Sequence, residues 1–301
     1  MHILLTGGTG LIGCALCAHW RAQGHRVTVW SRSPARVAAL CAGARGVAHL
    51  ADIAAHDATD AVVNLAGAPI ADRPWTAARR RLLWASRVDL TEALVRWMAQ
   101  LPHPPQVLLS ASAVGWYGDR TEQALDEHSP APTQPDFGST LCQAWEAAAL
   151  RAQDAGMRVA LVRIAPVLAR QGGMLSRLHL PFSLGLGGRL GSGTQWMPWV
   201  HLEDVVGLFD YLLQYPQAQG VYNACAPGAV RNAEFTQALA AALHRPAFLP
   251  APAWALRLLL GEMAVLLLGS QHVQPQRTLQ AGYRFRHPEL KVALRQLMQR
   301  P

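Results

Sequence analysis

Three glycines spaced three residues apart, Gly7, Gly10 and Gly13, follow the apolar run HILLT at the start of the chain. A strand that ends in a glycine-rich turn and runs straight into a helix leaves few folds open. It brings backbone N–H groups and a helix N-terminus to one point, the geometry that seats a pyrophosphate. Gly7 permits the tight turn, Gly10 removes a side chain where phosphates would approach, and Gly13 lets the helix close on the strand. A glycine triplet alone is a weak signal, and a merely tight strand-to-helix turn is the competing reading. Here an apolar strand precedes the triplet and an apolar-periodic helix follows it, which is the context the motif requires.

The first half of the chain alternates short apolar runs with longer helical patterns, the signature of a parallel sheet with crossover helices. Strands are expected at Ile3–Leu5, Arg26–Trp30, Val47–Leu50, Ala61–Leu65, Gln106–Ser110 and Arg158–Ile164, with helices over Ile12–Gln23, Thr76–Ala99 and Phe137–Ala155. After Ala165 the texture changes to a glycine-rich stretch, LGLGGRLGSG, then a helical tail broken by Pro and Gly. The chain has 301 residues, 51% of them hydrophobic, enough for one large core and a smaller lobe. The reading is an α/β chain: a Rossmann-type doubly wound parallel sheet over residues 1–168 and 196–230, with a smaller, mostly helical substrate lobe from 169–195 and 231–301.

A net charge of +8 raises the question of nucleic acid, but the arginines are scattered and form no basic stripe with interleaved aromatics, so no nucleic-acid partner is expected. The five cysteines are odd in number, and the close pair Cys14 and Cys17 lies in a helical pattern without further Cys or His at ligand spacing; no metal site is expected. Reduced thiols and an N-terminus without a basic-then-apolar leader fit a cytoplasmic protein. The apolar stretch Pro246–Gly269 contains Arg257, Glu262 and three prolines, and its uninterrupted pieces fall short of the roughly 20 residues that span a bilayer. It reads as a helix pair buried in the small lobe or lying at a subunit interface, as in a homodimer.

The glycine spacing resembles that of the extended short-chain dehydrogenase/reductases. Further segments carry the resemblance: Asp52 with Ile53 after the third strand, NLAG (Asn64–Gly67) ending the fourth, SASAVGWYG (Ser110–Gly118) after the fifth, then WVHLEDVV and GVYNACAP. More narrowly, GGTGLIG, NLAGAPIADRPW, SASAVGWYGD, GGRLGSGTQWMPWVHLEDV and GEMAVLLLGSQHVQP together resemble the YfcH-type group of sugar-nucleotide epimerases across nearly the whole chain. The resemblance implies a dinucleotide held by Gly7, Thr9, Gly10, Leu11, Ile12 and Gly13, with Asp52 at the adenine and Asn64, Ala66 and Gly67 along the cofactor.

NAD-binding members of such folds carry an acid at the end of the second strand for the ribose 2′-OH, whereas a 2′-phosphate needs a cation there. The strand HRVTVW is followed by Ser31, Arg32, Ser33 and Pro34 without Asp or Glu, and Arg36 stands in reserve. NADP is therefore the expected cofactor.

Short-chain dehydrogenases use a tyrosine base, a lysine four residues later and a serine or threonine on the reacting oxygen. Ser112 matches the serine, with Ser110 as its neighbour. The tyrosine and lysine positions read PDFGSTLC, with Phe137 or Gly138 at the first and Leu141 or Cys142 at the second. No tyrosine has a lysine four residues on, because the chain's single lysine is Lys291. Either Tyr117, five residues after Ser112, supplies a phenol as proton donor, or the protein binds NADP(H) without chemistry, as a sensor or scaffold. His201 and Asp204 suggest capping and positioning at a helix start. Trp116 and Arg189 are the expected substrate contacts, the arginine gripping a diphosphate unless its glycine-rich loop is only a hinge. The expected substrate is a small molecule, a nucleotide-sugar or related carbonyl compound.

Overall fold

The structure, a computed structural model, describes residues 1–53 and 58–299. Seven parallel strands form one sheet: β1 (His2–Thr6), β2 (Arg26–Trp30), β3 (Arg45–Val47), β4 (Ala61–Asn64), β5 (Val107–Ala113), β6 (Arg158–Ile164) and β7 (Gly220–Ala224). Their spatial order is β7-β6-β5-β4-β1-β2-β3. The chain thus builds outward from β1 to β3, returns to β4 on the other flank of β1, and continues to β7. Beyond the carboxyl ends of β1 and β4 this reversal opens a crevice, the place where doubly wound sheets bind ligands.

Both sheet faces are covered, so β1 and β4 are buried at every residue and are apolar without a break over residues 3–5 and 61–63. The strand period of two still divides the core. Ile3, Leu5, Val63 and Leu109 belong to one apolar cluster, while Leu4, Val62 and Leu108 belong to another on the opposite face. A third cluster, including Leu168, Phe182, Trp199, Phe235, Leu239 and Leu294, gathers residues from later in the chain.

Four helices bear on the crevice. α1 (Leu11–Ala22) starts at the glycine turn. α2 (Ala77–Trp84) and α3 (Leu90–Ala99) are joined without a break by a π-helical turn, Ala85–Asp89. α4 (Phe137–Leu150) starts at Asp136, whose side chain accepts the Ser139 N–H.

Three expectations need correction. The third strand is Arg45–Val47, not Val47–Leu50, because Leu50–Asp52 forms a 3-10 turn in which the Asp52 carboxylate accepts the His49 N–H at 2.9 Å. The fifth strand runs to Ala113, since its parallel pairing with β6 continues as far as Ala113 opposite Ile164. The third concerns one of the two readings of the apolar stretch 246–269: Met263 and Ala264 are buried, but helix α5 (Ala253–Leu260) has no buried residue, and Trp254, Leu258 and Leu259 are each more than 70% exposed, so burial of the pair in the small lobe does not hold and the subunit-interface reading stands as an expectation. Among the described residues no helix is long and apolar enough to cross a membrane.

Candidate functional site

The three glycines do different work. Gly7 has φ +69°, and a Cβ on it would stand 2.7 Å from the Leu65 carbonyl carbon and oxygen, so it lets β1 turn tightly against the end of β4. At Gly13 a Cβ would meet the Gly7 carbonyl oxygen at 2.4 Å and the Gly8 Cα at 2.6 Å, which is how α1 closes on the turn. Gly10 differs, because a Cβ there would meet only the Gly7 carbonyl oxygen, at 3.3 Å, and the residue is otherwise open to solvent. A small side chain at Gly10 asks the Gly7 carbonyl oxygen to give by only a few tenths of an ångström, far less than at Gly7 or Gly13. The helix behind it has no side-chain cap and no acid in its first turn, which leaves N–H donors facing that space. Leu11 and Ile12 form this first turn, and Thr9 lies exposed beside it.

Next to Thr9 a cavity of about 190 Å³ is lined by Thr9, Ser31, Arg32, Ser33, Arg36 and Leu40. It contains two guanidinium groups, three hydroxyls and no carboxylate. Neither Arg32 nor Arg36 forms a side-chain hydrogen bond or ion pair among the described residues. Such a donor set suits a dianionic phosphate.

The segment after β4 lies against the glycine turn. The Thr6 hydroxyl accepts the Leu65 and Ala66 N–H groups at 3.2 and 3.1 Å and donates to Asn64 Oδ1 at 2.7 Å. Asn64 is fully buried, and its Nδ2 donates to Thr91 and Ser110. Its amide is thus engaged in bracing β1, β4, β5 and α3, and through Thr6 Asn64 holds the loop of Ala66 and Gly67. The exposed Asp52 carboxylate closes its own turn, as described above.

At the end of β5 stands a buried polar network in which one donor, Arg163 Nη1, has no partner among the described residues. Ser112, 3% exposed, donates to Glu146 Oε1 at 2.6 Å; Arg163, opposite it in register on β6, donates from Nε and Nη2 to Glu146 at 2.8 Å each. The Arg163 guanidinium stacks 3.5 Å from the centroid of the half-buried Trp116 ring. Ser112 has therefore given its proton to a carboxylate, and what its oxygen can offer a ligand is a lone pair. Glu146 and Arg163 were missed in the sequence, although a charge inside the otherwise apolar strand RVALVRI was a readable signal.

Tyr117 does not reach the crevice as a proton donor. It is fully buried, its hydroxyl donates to Asn223 Oδ1 at 2.8 Å, and burial pushes its pKa up to about 12. The positions expected to hold a tyrosine and lysine are apolar in fact. Phe137 packs edge-on to Trp75 with Arg80 over its ring, Leu141 is buried, and the buried Cys142 thiol is pushed up to about 12. Arg189 is exposed in its glycine-rich loop.

His201 caps the helix Leu202–Gln214, its Nδ1 accepting the Glu203 N–H at 3.1 Å, while buried Asp204 accepts the Arg286 and His287 N–H groups. Capping and positioning are thus the roles the geometry gives them. His201, Glu203 and His287 bring ligand atoms within 4.8 Å of one another. However, an Nδ1 that accepts a hydrogen bond leaves the His201 proton on Nε2, where a metal would need a lone pair.

Residues 3–225 match the NAD dependent epimerase/dehydratase family, and residues 251–297 match a domain of unknown function, DUF1731. The epimerase family protein SDR39U1 of Mus musculus is 40% identical over 303 residues, covering 99% of this chain and all of that one. The crystal structure of human SDR39U1, isoform 2, solved with NADPH, superposes with a TM-score of 0.88 at 37% identity, covering 99% of both chains. A nucleoside-diphosphate sugar epimerase from Corynebacterium glutamicum gives a TM-score of 0.78 at 30% identity, over 99% of this chain and 58% of that one.

Proposed function

The chain belongs to the NAD dependent epimerase/dehydratase family, and from that premise we propose that it binds NADP(H) and acts as an oxidoreductase or epimerase on a nucleotide-sugar or related carbonyl compound. The observation that carries this reading is the cavity of Ser31, Arg32, Ser33 and Arg36, two guanidinium groups with no acid partner among the described residues, beside the open space over Gly10. The human relative solved with NADPH and the nucleoside-diphosphate sugar epimerase of similar fold support it.

In this reading Arg32 and Arg36 pair with the 2′-phosphate, and the first-turn N–H groups of α1 face the pyrophosphate. When bound, the nicotinamide supplies or takes up hydride. Ser112, fixed by Glu146 and Arg163, orients a substrate hydroxyl by accepting its hydrogen bond. Arg189 binds the diphosphate of the substrate, and Trp116, stacked on Arg163, offers an apolar face to it. With the Tyr117 phenol spent on Asn223, proton transfer lacks the general acid or base that is typically worth 10²–10⁴-fold, so turnover is slow.

The test is NADPH consumption with a panel of keto-sugar nucleotides and simple carbonyl compounds, repeated with Ser112→Ala. Slow turnover lost in the variant is the expected result. Turnover that Ser112→Ala retains removes Ser112 from the site; tight NADPH binding without consumption of any compound supports the sensor or scaffold reading instead.

A further inference from the structure

A further cation at the crevice has no counter-charge among the described residues. Arg87 lies in the π-helical turn between α2 and α3, against the loop that follows β4: a Cβ on Gly67 would stand 2.8 Å from its Cζ. Its other face lies over Trp145 of α4, 5.3 Å from the ring centroid. The Nη1 atom is buried without a partner, and the Arg87 side chain forms no hydrogen bond or ion pair among the described residues. Burial lowers its pKa, and the two titratable groups that act on it are Cys142, a thiol held neutral, and a second cation, Arg79. A guanidinium stays charged in any such setting, so five donors and a positive charge wait there unpaired.

Arg79 shares the position. Its Nε is also buried without a partner, while its Nη2 donates to the Pro69 carbonyl of the same loop. Two cations held together with unused donors are unfavourable in the protein alone and favourable around an anion.

Which anion follows from the placement. The Gly7 turn packs on Leu65 and Ala66, at the start of the loop, and Arg87 packs on Gly67, toward α4 with Cys142 and Trp145. The cofactor phosphates belong with Gly10 and Arg32, on the glycine-turn side. We propose that Arg87, with Arg79 beside it, seats an anionic group, a carboxylate or phosphate, carried by the substrate. This deepens the function proposed above and rests on it only for the word substrate; the anion seat itself is readable without cofactor or turnover.

Inorganic pyrophosphate and malonate serve as probes, titrated calorimetrically into the full chain with and without saturating NADPH, for the parent, Arg87→Met and Arg87→Lys. The expected result is binding by the NADPH-saturated parent, weakened at least tenfold in Arg87→Met and partly restored in Arg87→Lys. Unliganded Arg87→Met should melt no lower than the parent, because the charge it removes has no partner. A lower melting temperature with unchanged probe binding makes Arg87 a structural cation on Trp145 and overturns the proposal. So does a tenfold loss of NADPH affinity in Arg87→Met with competition between probe and NADPH, which assigns the seat to the cofactor. If the parent binds no NADPH at all but Arg87-dependent probe binding persists, the anion seat stands and the cofactor reading falls.

Discussion

The crevice has two ends built on opposite principles. At the glycine turn, donors are left unused: the first turn of α1 is uncapped, Gly10 faces open space, and Arg32 and Arg36 pair with no acid among the described residues. At the end of β5, by contrast, Ser112, Glu146 and Arg163 bind one another out of solvent, with Arg163 Nη1 the one guanidinium nitrogen there buried without a partner among the described residues, and Tyr117 is closed off against Asn223. Open donors contribute nothing to the folded chain and everything to a ligand. A closed network does the reverse, so substitutions at the two ends should separate stability from binding.

The largest effect belongs to the closed end. Glu146→Ala leaves Arg163 buried without its carboxylate and should cost about 3–5 kcal/mol of unliganded stability in urea denaturation. A cost below about 1 kcal/mol would mean the pair is hydrated and the contrast false. Next comes Gly10→Val, which should leave unliganded melting nearly unchanged while removing the stabilisation by NADPH, about 2.7 kcal/mol at one hundred times Kd. Gly13→Val is its control: the same side chain three residues on strikes backbone at 2.4 Å and should lower melting of the free protein. Retained stabilisation by NADPH in Gly10→Val would break the assignment of the open end.

Arg32→Ala should weaken NADPH by about 1.5–3 kcal/mol, the range for hydrogen bonds to a charged group, and leave NADH almost unaffected. Equal losses for both cofactors in a titration would place the arginine elsewhere. The smallest effect is expected of Tyr117→Phe, about 1 kcal/mol from one buried hydrogen bond, with no change in turnover. Burial holds this phenol neutral to about 12, against roughly 10 in the unfolded chain, so its contribution is complete below pH 10 and is lost as pH rises toward 12. A limb near pH 10 in the rate profile that vanishes in Tyr117→Phe would return the phenol to the reaction.

The open end was legible because its chemistry is written in backbone geometry and in a missing acid, both of which sit at fixed places beside a strand. Gly7, Gly10, Gly13, Ser31 and Arg32 are local features, and the fold brings together what is already close in sequence. The closed end joins Ser112, Glu146 and Arg163 across two strands and a helix, and no local pattern announces which charge meets which hydroxyl. Asn64 and Tyr117 show the same limit. Motif position placed them near the crevice, but whether a side chain turns toward a ligand or into the core depends on partners distant in the chain, Thr91 for one and Asn223 for the other. The strand ends slipped for a related reason: small Ala and Ser residues carry little apolar signal, yet they extend β5 through its pairing with β6.

The π-helical turn at Ala85–Asp89 acts as a phase shift in an otherwise regular rotor. Eight residues separate Arg79 from Arg87, and at 3.6 residues per turn they would sit about 80° apart around the axis. A wide turn that absorbs about one extra residue brings that separation near two whole revolutions, and both guanidinium groups point at the same loop. Deleting a single residue inside the turn would restore an unbroken α-helix with Arg79 and Arg87 seven residues, about 700°, apart, close to their present phase. A chain with one residue fewer there should therefore keep both its helix and the alignment of its two arginines, whereas a turn straightened to α-helix at unchanged length would swing them about 80° apart.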